Sequence, residues 1–210
     1  MFYNLIRSIA RGLFFFFGLK HEGIHNVPKE GAVILASNHV SYYDPIVIAA
    51  VLDRQVNFMA KSEFFESRLF GKILSALNAF PVKRGSADRR AIKTALAILK
   101  EGKVLGIFPE GTRKSIGTEV NPLTGTALLA LKSDVYVIPV ACIGTKRMIP
   151  IGWISPLKVI FGKPIKYDNG KDKINSKVLE DYSQVIAEEI NHLLINKEGF
   201  KLNTSNNYDR

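Results

Sequence analysis

Ala32-Val33-Ile34-Leu35-Ala36-Ser37-Asn38-His39-Val40-Ser41-Tyr42-Tyr43-Asp44-Pro45 is the stretch that decides the fold. Residues 32–37 form a short apolar run without polar alternation, as expected of a strand buried on both faces. Residues 45–52 read as a short helix, with Asp44 placed to cap it and Pro45 in its first turn. A buried strand that feeds a helix through a tight polar turn is the repeating unit of an α/β sheet.

The same alternation continues outward. Residues 56–60 read as a strand, 68–77 as a helix and 80–82 as a short strand. Residues 88–99 read as a helix with Ala91, Ile92, Ala95, Leu96 and Leu99 on one face and Gly102 as its stop. Residues 104–108 form a strand, 125–132 a helix, and 135–141 and 157–161 two further strands. Residues 176–194 form a helix capped by Asn175 or Ser176. The expected fold is α/β: one domain with a central, mostly parallel or mixed sheet flanked by helices, preceded by an N-terminal amphipathic helix. Residues 1–19 are that helix, 20–199 the domain, and 200–210 a tail with little to bury.

Composition bounds the function. The 210 residues are 47% hydrophobic and 10% aromatic, enough for a substantial core, which excludes a disordered chain. A single cysteine, Cys142, excludes an intrachain disulfide framework and fits a reducing compartment. It sits in the apolar run from Val135 and reads as a small core residue rather than a nucleophile. Lys and Arg number 29 against 19 acidic residues, a net charge of +10. Such a surface favours a polyanion: nucleic acid, an anionic lipid headgroup or a phosphorylated substrate. The surplus concentrates between Lys83 and Lys114, where nine basic residues face three acidic ones.

No apolar run approaches the ~20 residues of a membrane-spanning helix. Near the N-terminus Phe2, Leu5, Ile6, Ile9, Leu13 and Phe16 recur at helical steps, with Asn4, Arg7, Ser8 and Arg11 opposite. This pattern suits a helix lying in a membrane interface, aromatics inserted and arginines at the phosphates. A core-packing helix is the plainer alternative. A secretory signal fits poorly, because arginines interrupt its middle and no small-residue cleavage site follows.

His21-Glu22-Gly23-Ile24-His25 matches the zinc-peptidase spacing H-E-x-x-H, but Gly23 and Pro28 argue against the helix that spacing needs. No metal site is expected. The turn after the first buried strand is more informative. His39 and Asp44 can meet across it, the carboxylate fixing one imidazole nitrogen and leaving the other as a base. The plainer reading makes Asp44 a cap and His39 a turn residue. Three further stretches join it. Phe108-Pro109-Glu110-Gly111-Thr112-Arg113 leaves a buried strand and offers N–H groups, a hydroxyl and an arginine to an anion. Lys83-Arg84-Gly85 ends another strand with adjacent cations. Val137-Ile138-Pro139-Val140 is an apolar strand broken by proline.

Taken in order, Asn38-His39-x-Ser41-x-x-Asp44, Arg84-Gly85, Phe108-Pro109-Glu110-Gly111-Thr112-Arg113 and Val137-Ile138-Pro139-Val140 resemble the four blocks of the glycerolipid acyltransferases. The 1-acyl-sn-glycerol-3-phosphate acyltransferases are the nearest group, and the resemblance spans about residues 20–165. The chain departs at Leu123-Thr124-Gly125, where the family often carries a lysine.

The resemblance implies catalytic roles for His39 and Asp44. It implies phosphate contacts from Arg84 and Arg113, with Gly111 and Thr112 in the same binding loop, Glu110 ordering that loop, and Lys61 facing the phosphate. Acyl-CoA or acyl carrier protein would supply the acyl group as a thioester, with no cofactor. The acceptor would be lysophosphatidate, met at an anionic membrane surface, on the cytoplasmic face of the cell membrane, by a peripheral or monotopic protein. The alternatives are an acyltransferase with a different lysophospholipid or other lipid acceptor and, in a different class, a basic nucleic-acid-binding protein. The latter lacks a recognisable module, and its aromatics do not interleave with its basic segment.

Overall fold

The computed structural model describes residues 2–83, 88–113, 120, 122–147, 157–168 and 173–196. Helix α1 is Phe2–Phe16, followed by β1 (Lys20–Glu22), β2 (Val33–Ser37), α2 (Asp44–Val51), β3 (Val56–Lys61) and α3 (Arg68–Ala76). Then come β4 (Ala79–Val82), α4 (Arg89–Lys100), β5 (Val104–Ile107), α5 (Gly125–Ser133), β6 (Val137–Ile143), β7 (Lys158–Phe161) and α6 (Ser176–Asn196). The seven strands form one mixed sheet in the order β1-β7-β6-β2-β5-β3-β4, and only β6 and β7 run antiparallel. The expected α/β fold is the one observed.

Strand β2 lies at the centre, and all five of its residues are buried. It pairs with β5 through Val33–Val104 and Ala36–Ile107, and with β6 through Ile34–Val137 and Ser37–Val140. The absence of alternation in its sequence follows from helices on both faces. Val33 and Leu35 pack in the cluster of α1 and α2, with Phe14, Val47, Ile48 and Val51. Ile34 and Ala36 pack in the cluster of α4, α5 and α6, with Ala95, Leu99, Ala127, Ile186 and Ile190.

Two crossovers define a crevice. From β2 the chain passes through α2 to β3; from β5 it passes through α5 to β6, on the opposite face of the sheet. Neighbouring strands β2 and β5 thus send their connections in opposite directions. Ligands of open α/β sheets bind beyond the carboxyl ends of the strands at such a switch point. The turn after β2 and the loop after β5 both meet there. Pro139, which has no N–H to give, lies where the regular β6–β7 ladder is interrupted: its carbonyl accepts the N–H of Gly162, just past β7, at 2.8 Å, and pairing resumes at the Val137–Ile165 bridge.

The polar strand β1, Lys-His-Glu, is too short and hydrophilic to read from sequence, and it forms only beside β7. His21 lies on this strand and His25 in a 3-10 turn, with Gly23 between them at φ 68°. The two histidines therefore do not share a helix face. Among the described residues no three His, Cys, Asp or Glu side chains cluster as a metal site would require.

Helix α1 corrects one expectation. Its arginines turn inward. Arg11 donates to the Ala50 carbonyl from Nε at 2.6 Å and to the Leu52 carbonyl from Nη2 at 2.8 Å, and Arg7 donates to the Asp53 carbonyl. They satisfy the carbonyls at the C-terminal end of α2, where helix ends favour cations. Tyr3 and Phe14 are buried, while Leu5, Ile9, Leu13 and Phe16 face outward. No described helix is long and apolar enough to cross a membrane. Asn175 caps α6, accepting the Val178 N–H at 3.0 Å.

Candidate active site

Asp44 occupies the first position of α2 but does not cap it; Tyr43 takes the cap position, with no side-chain capping bond. The Asp44 carboxylate turns back over the preceding turn. Its Oδ2 accepts the Val40 and Ser41 N–H groups and His39 Nδ1, each at 2.8 Å. Its Oδ1 accepts the Thr145 hydroxyl at 2.5 Å. Asp44 is fully buried, and a buried carboxylate is tolerated when its lone pairs are filled in this way. With the Nδ1 proton directed at Asp44, His39 Nε2 carries the lone pair, and no bond among the described residues engages it.

Packing fixes the imidazole plane. Phe108 stacks on it with centroids 4.0 Å apart, and Phe58 stacks on Phe108 at 5.8 Å. Phe58 reaches this place because its cross-strand partner is Gly106: a Cβ there would lie 2.3 Å from the Phe58 ring. The glycine, the two phenylalanines and the histidine form one stack from the sheet to the site.

The start of the turn is held by Asn38. Its Nδ2 donates to the Cys142 carbonyl at 3.0 Å, and its Oδ1 accepts the Cys142 N–H at 2.8 Å. The side-chain amide thus extends the β2–β6 pairing by one rung. Ser41 Oγ accepts the Tyr43 N–H at 3.2 Å, a local turn bond. Burial, then the charge of Asp44, pushes the Cys142 thiol well above its ordinary range. A thiol kept protonated is a core atom, not a nucleophile.

The second loop approaches from β5. Pro109 and Gly111 make a turn in which the Gly111 N–H donates to the Phe108 carbonyl at 3.0 Å, with Gly111 at φ 65°. This turn buries Glu110, whose Oε2 accepts the His39 N–H at 3.4 Å. Glu110 therefore joins its loop to the His39–Asp44 turn, rather than ordering its own loop alone. The Arg113 guanidinium lies 3.5 Å above the centre of the Tyr42 ring. The two loops thus meet a second time, with Thr112 and Arg113 exposed.

Lys61 ends β3, two strands from β2, and pairs with Glu63 at 2.9 Å. That contact, helped by the Glu63 N–H, holds the Glu63 carboxyl down to about 2. Arg84 lies outside the described residues. Its flanks are tied together: the Lys83 N–H donates to Asp88 Oδ2 at 2.9 Å, while Asp88 Oδ1 caps α4. These backbone bonds, the one from Lys83 first, hold the Asp88 carboxyl below its usual range.

The family model for acyltransferases matches residues 18–143. The chain belongs to the acyltransferase family.

A 1-acyl-sn-glycerol-3-phosphate acyltransferase of Bacillus subtilis is 32% identical over 149 residues, which is 70% of this chain and 74% of the relative. One from Streptococcus pneumoniae is 30% identical over 200 residues, 92% of this chain and 73% of the relative. The fold is shared with the crystal structure of the 1-acyl-sn-glycerophosphate (LPA) acyltransferase PlsC from Thermotoga maritima. The TM-score is 0.69 over 93% of this chain and 80% of that one, at 23% identity. In this acyltransferase, sequence reasoning missed Thr145, the role of Asn38, and the Gly106–Phe58–Phe108 stack. Asn38 and Phe108 stand within the quoted blocks without a role, and Gly106, a glycine inside a strand, left a signal of its own.

Proposed function

We propose that this acyltransferase transfers a fatty acyl group from an acyl thioester to the free hydroxyl of 1-acyl-sn-glycerol 3-phosphate, giving phosphatidate. The observation that carries the reading is the buried His39–Asp44 pair, with Nε2 left to act. His39 takes the proton from the acceptor hydroxyl as its oxygen attacks the thioester carbonyl. The new C–O bond forms, the C–S bond breaks, and the proton leaves with the thiol. Asp44 keeps the ring in one tautomer and stabilises the imidazolium while it exists. The thiolate leaves without strong acid help, thiols having a pKa near 8.5.

No acyl-enzyme is required, which agrees with Ser41 serving its turn and Cys142 being buried. Arg113 and Arg84 hold the phosphate monoester, and Lys61 lends charge from β3. Gly111 and Thr112 shape the binding loop. CoA or acyl carrier protein carries the acyl group, and neither metal nor cofactor takes part. The protein works as a peripheral or monotopic enzyme on the cytoplasmic face of an anionic membrane. The outward apolar residues of α1 support this, together with the net charge of +10.

The test is thiol release by the purified full chain from acyl-CoA and acyl carrier protein thioesters, with phosphatidate identified by chromatography. Lysophosphatidate should support turnover well above glycerol 3-phosphate and lysophospholipids without a phosphate monoester. The rate should persist in EDTA. Thiol release independent of acceptor, or faster with a diester acceptor, refutes the assignment.

A further inference from the structure

Helix α3 is built unlike the other helices of the sheet. Of its nine residues only Gly71 is buried. Gly71 sits against the backbone of Phe65, in the 3-10 turn Ser62–Phe65: a Cβ there would lie 2.9 Å from the Phe65 carbonyl oxygen. The glycine allows close docking on that turn, and the rest of the helix is turned outward. Leu69, Phe70 and Ile73 are 73%, 47% and 39% exposed. Arg68 and Lys72 are exposed beside them, and the helix carries no acidic residue. Nine residues are too few to hold a helix in water on propensity alone; packing of the apolar face normally supplies the stability. Here that face is open.

Two connections give the helix a place in the enzyme. Phe70 meets the Phe64 ring edge-on at 6.1 Å, and Phe64 lies 6.3 Å from Tyr42, over which Arg113 is stacked. An aromatic path therefore runs from α3 to the mouth of the site. At its other end, Asn78 donates to Gln55 Oε1 at 3.0 Å, and Gln55 Nε2 donates to Asn4 of α1 at 3.3 Å. The C-terminal end of α3 and the first turn of α1 are thus tied together through Gln55.

We infer that α3 is a second membrane-docking element, which lays Leu69, Phe70 and Ile73 into the headgroup–acyl boundary of an anionic bilayer beside the mouth of the active site. The charge pattern selects this occupant. Arg68 and Lys72 flank the apolar residues as cations flank an interfacial helix. A second copy of the chain would instead bring the same cations together, at a net charge of +10 on each side. The inference rests on the proposed lipid acceptor: docked at two points, the enzyme opens its site at the depth where a lysophospholipid presents its hydroxyl and phosphate.

Cys142 is buried and is the chain's one cysteine, so Leu69→Cys in the full chain accepts an environment-sensitive fluorophore at a single exposed position. With vesicles of mixed phosphatidylglycerol and phosphatidylcholine the probe emission should shift to the blue and be quenched by lipids brominated near the headgroup. Unlabelled Leu69→Ser/Ile73→Ser protein should bind these vesicles about ten-fold more weakly while keeping its rate on a dispersed short-chain acceptor. A probe that stays in water while the protein co-sediments with vesicles overturns the inference. So does a blue shift that grows with protein concentration in the absence of lipid, which would mark a dimer interface. The two readings fail separately. Insertion of the probe by a protein that acylates no lysophospholipid removes the function but not the docking. Turnover on the dispersed acceptor without insertion removes the docking alone.

Discussion

Thr145 separates a site assembled for chemistry from one that is merely well packed. Its hydroxyl lies 2.5 Å from Asp44 Oδ1, and both residues are almost wholly buried. The other carboxylate oxygen holds three donors, whereas Oδ1 has Thr145 alone among the described residues. Thr145→Val keeps the volume and removes the donor. A hydrogen bond to a charged group contributes about 1.5–3 kcal/mol, and a buried oxygen left without it loses that amount. If the loss were expressed wholly in the transition state, the rate would fall about 10- to 150-fold. In the proposed mechanism Asp44 serves His39 most when the imidazolium forms, so kcat should fall at least about ten-fold with little change in either KM. Whatever part is expressed in the ground state should lower Tm by a few degrees, at about 2–4 °C per kcal/mol for a chain of this size. Thr145→Ser restores the hydroxyl and should recover most of the rate. The assay is thiol release at varied acceptor and donor, alongside a thermal melt. A folded Thr145→Val enzyme with the parent kcat refutes the reasoning.

Arg113→Ala should raise the acceptor KM about ten-fold and leave the donor KM nearly unchanged, with Arg113→Lys recovering only part because the paired N–H donors are gone; equal KM values in steady-state kinetics would remove Arg113 from phosphate recognition. Arg11→Ala should destabilise the fold by about 1–3 kcal/mol, because the carbonyls of Ala50 and Leu52 lose their donors; an unchanged urea midpoint would show that α1 docks without it. Burial pushes the Tyr182 hydroxyl up to about 12, so the native state retains a proton that the unfolded chain gives up near pH 10. Stability should therefore be unaffected by this group below about pH 10 and fall between pH 10 and 12, by up to about 2 kcal/mol, and Tyr182→Phe should flatten that decline in urea titrations.

The sequence carried the architecture where burial was symmetric or periodicity long. The unbroken run of β2 announced a strand covered on both faces, and the apolar face of α4 announced a helix with Asp88 at its head. It also carried His39 with Asp44, since five residues across a tight turn bring an imidazole and a carboxylate together in few ways. What it could not carry is the set of contacts that arise only when distant segments meet. Thr145 touches Asp44 from 101 residues away, and Asn38 clasps the Cys142 backbone across 104. No local pattern marks either. The arginines of α1 were misread for a related reason. A basic stripe looks the same whether it faces phosphates or the C-terminal carbonyls of a neighbouring helix, and only the position of α2 decides. Strand β1 was missed because three polar residues have no strand character until β7 lies alongside them.

The central claim is that His39, held by Asp44, is the base for acyl transfer to lysophosphatidate. The direct measurement is the rate of phosphatidate formation by His39→Ala protein, shown by circular dichroism to be folded, at saturating acyl thioester and lysophosphatidate. A general base contributes ~10²–10⁴-fold, so the rate should fall at least 10²-fold, about 3 kcal/mol of barrier. A folded His39→Ala enzyme that keeps more than half of the parent rate would contradict the account.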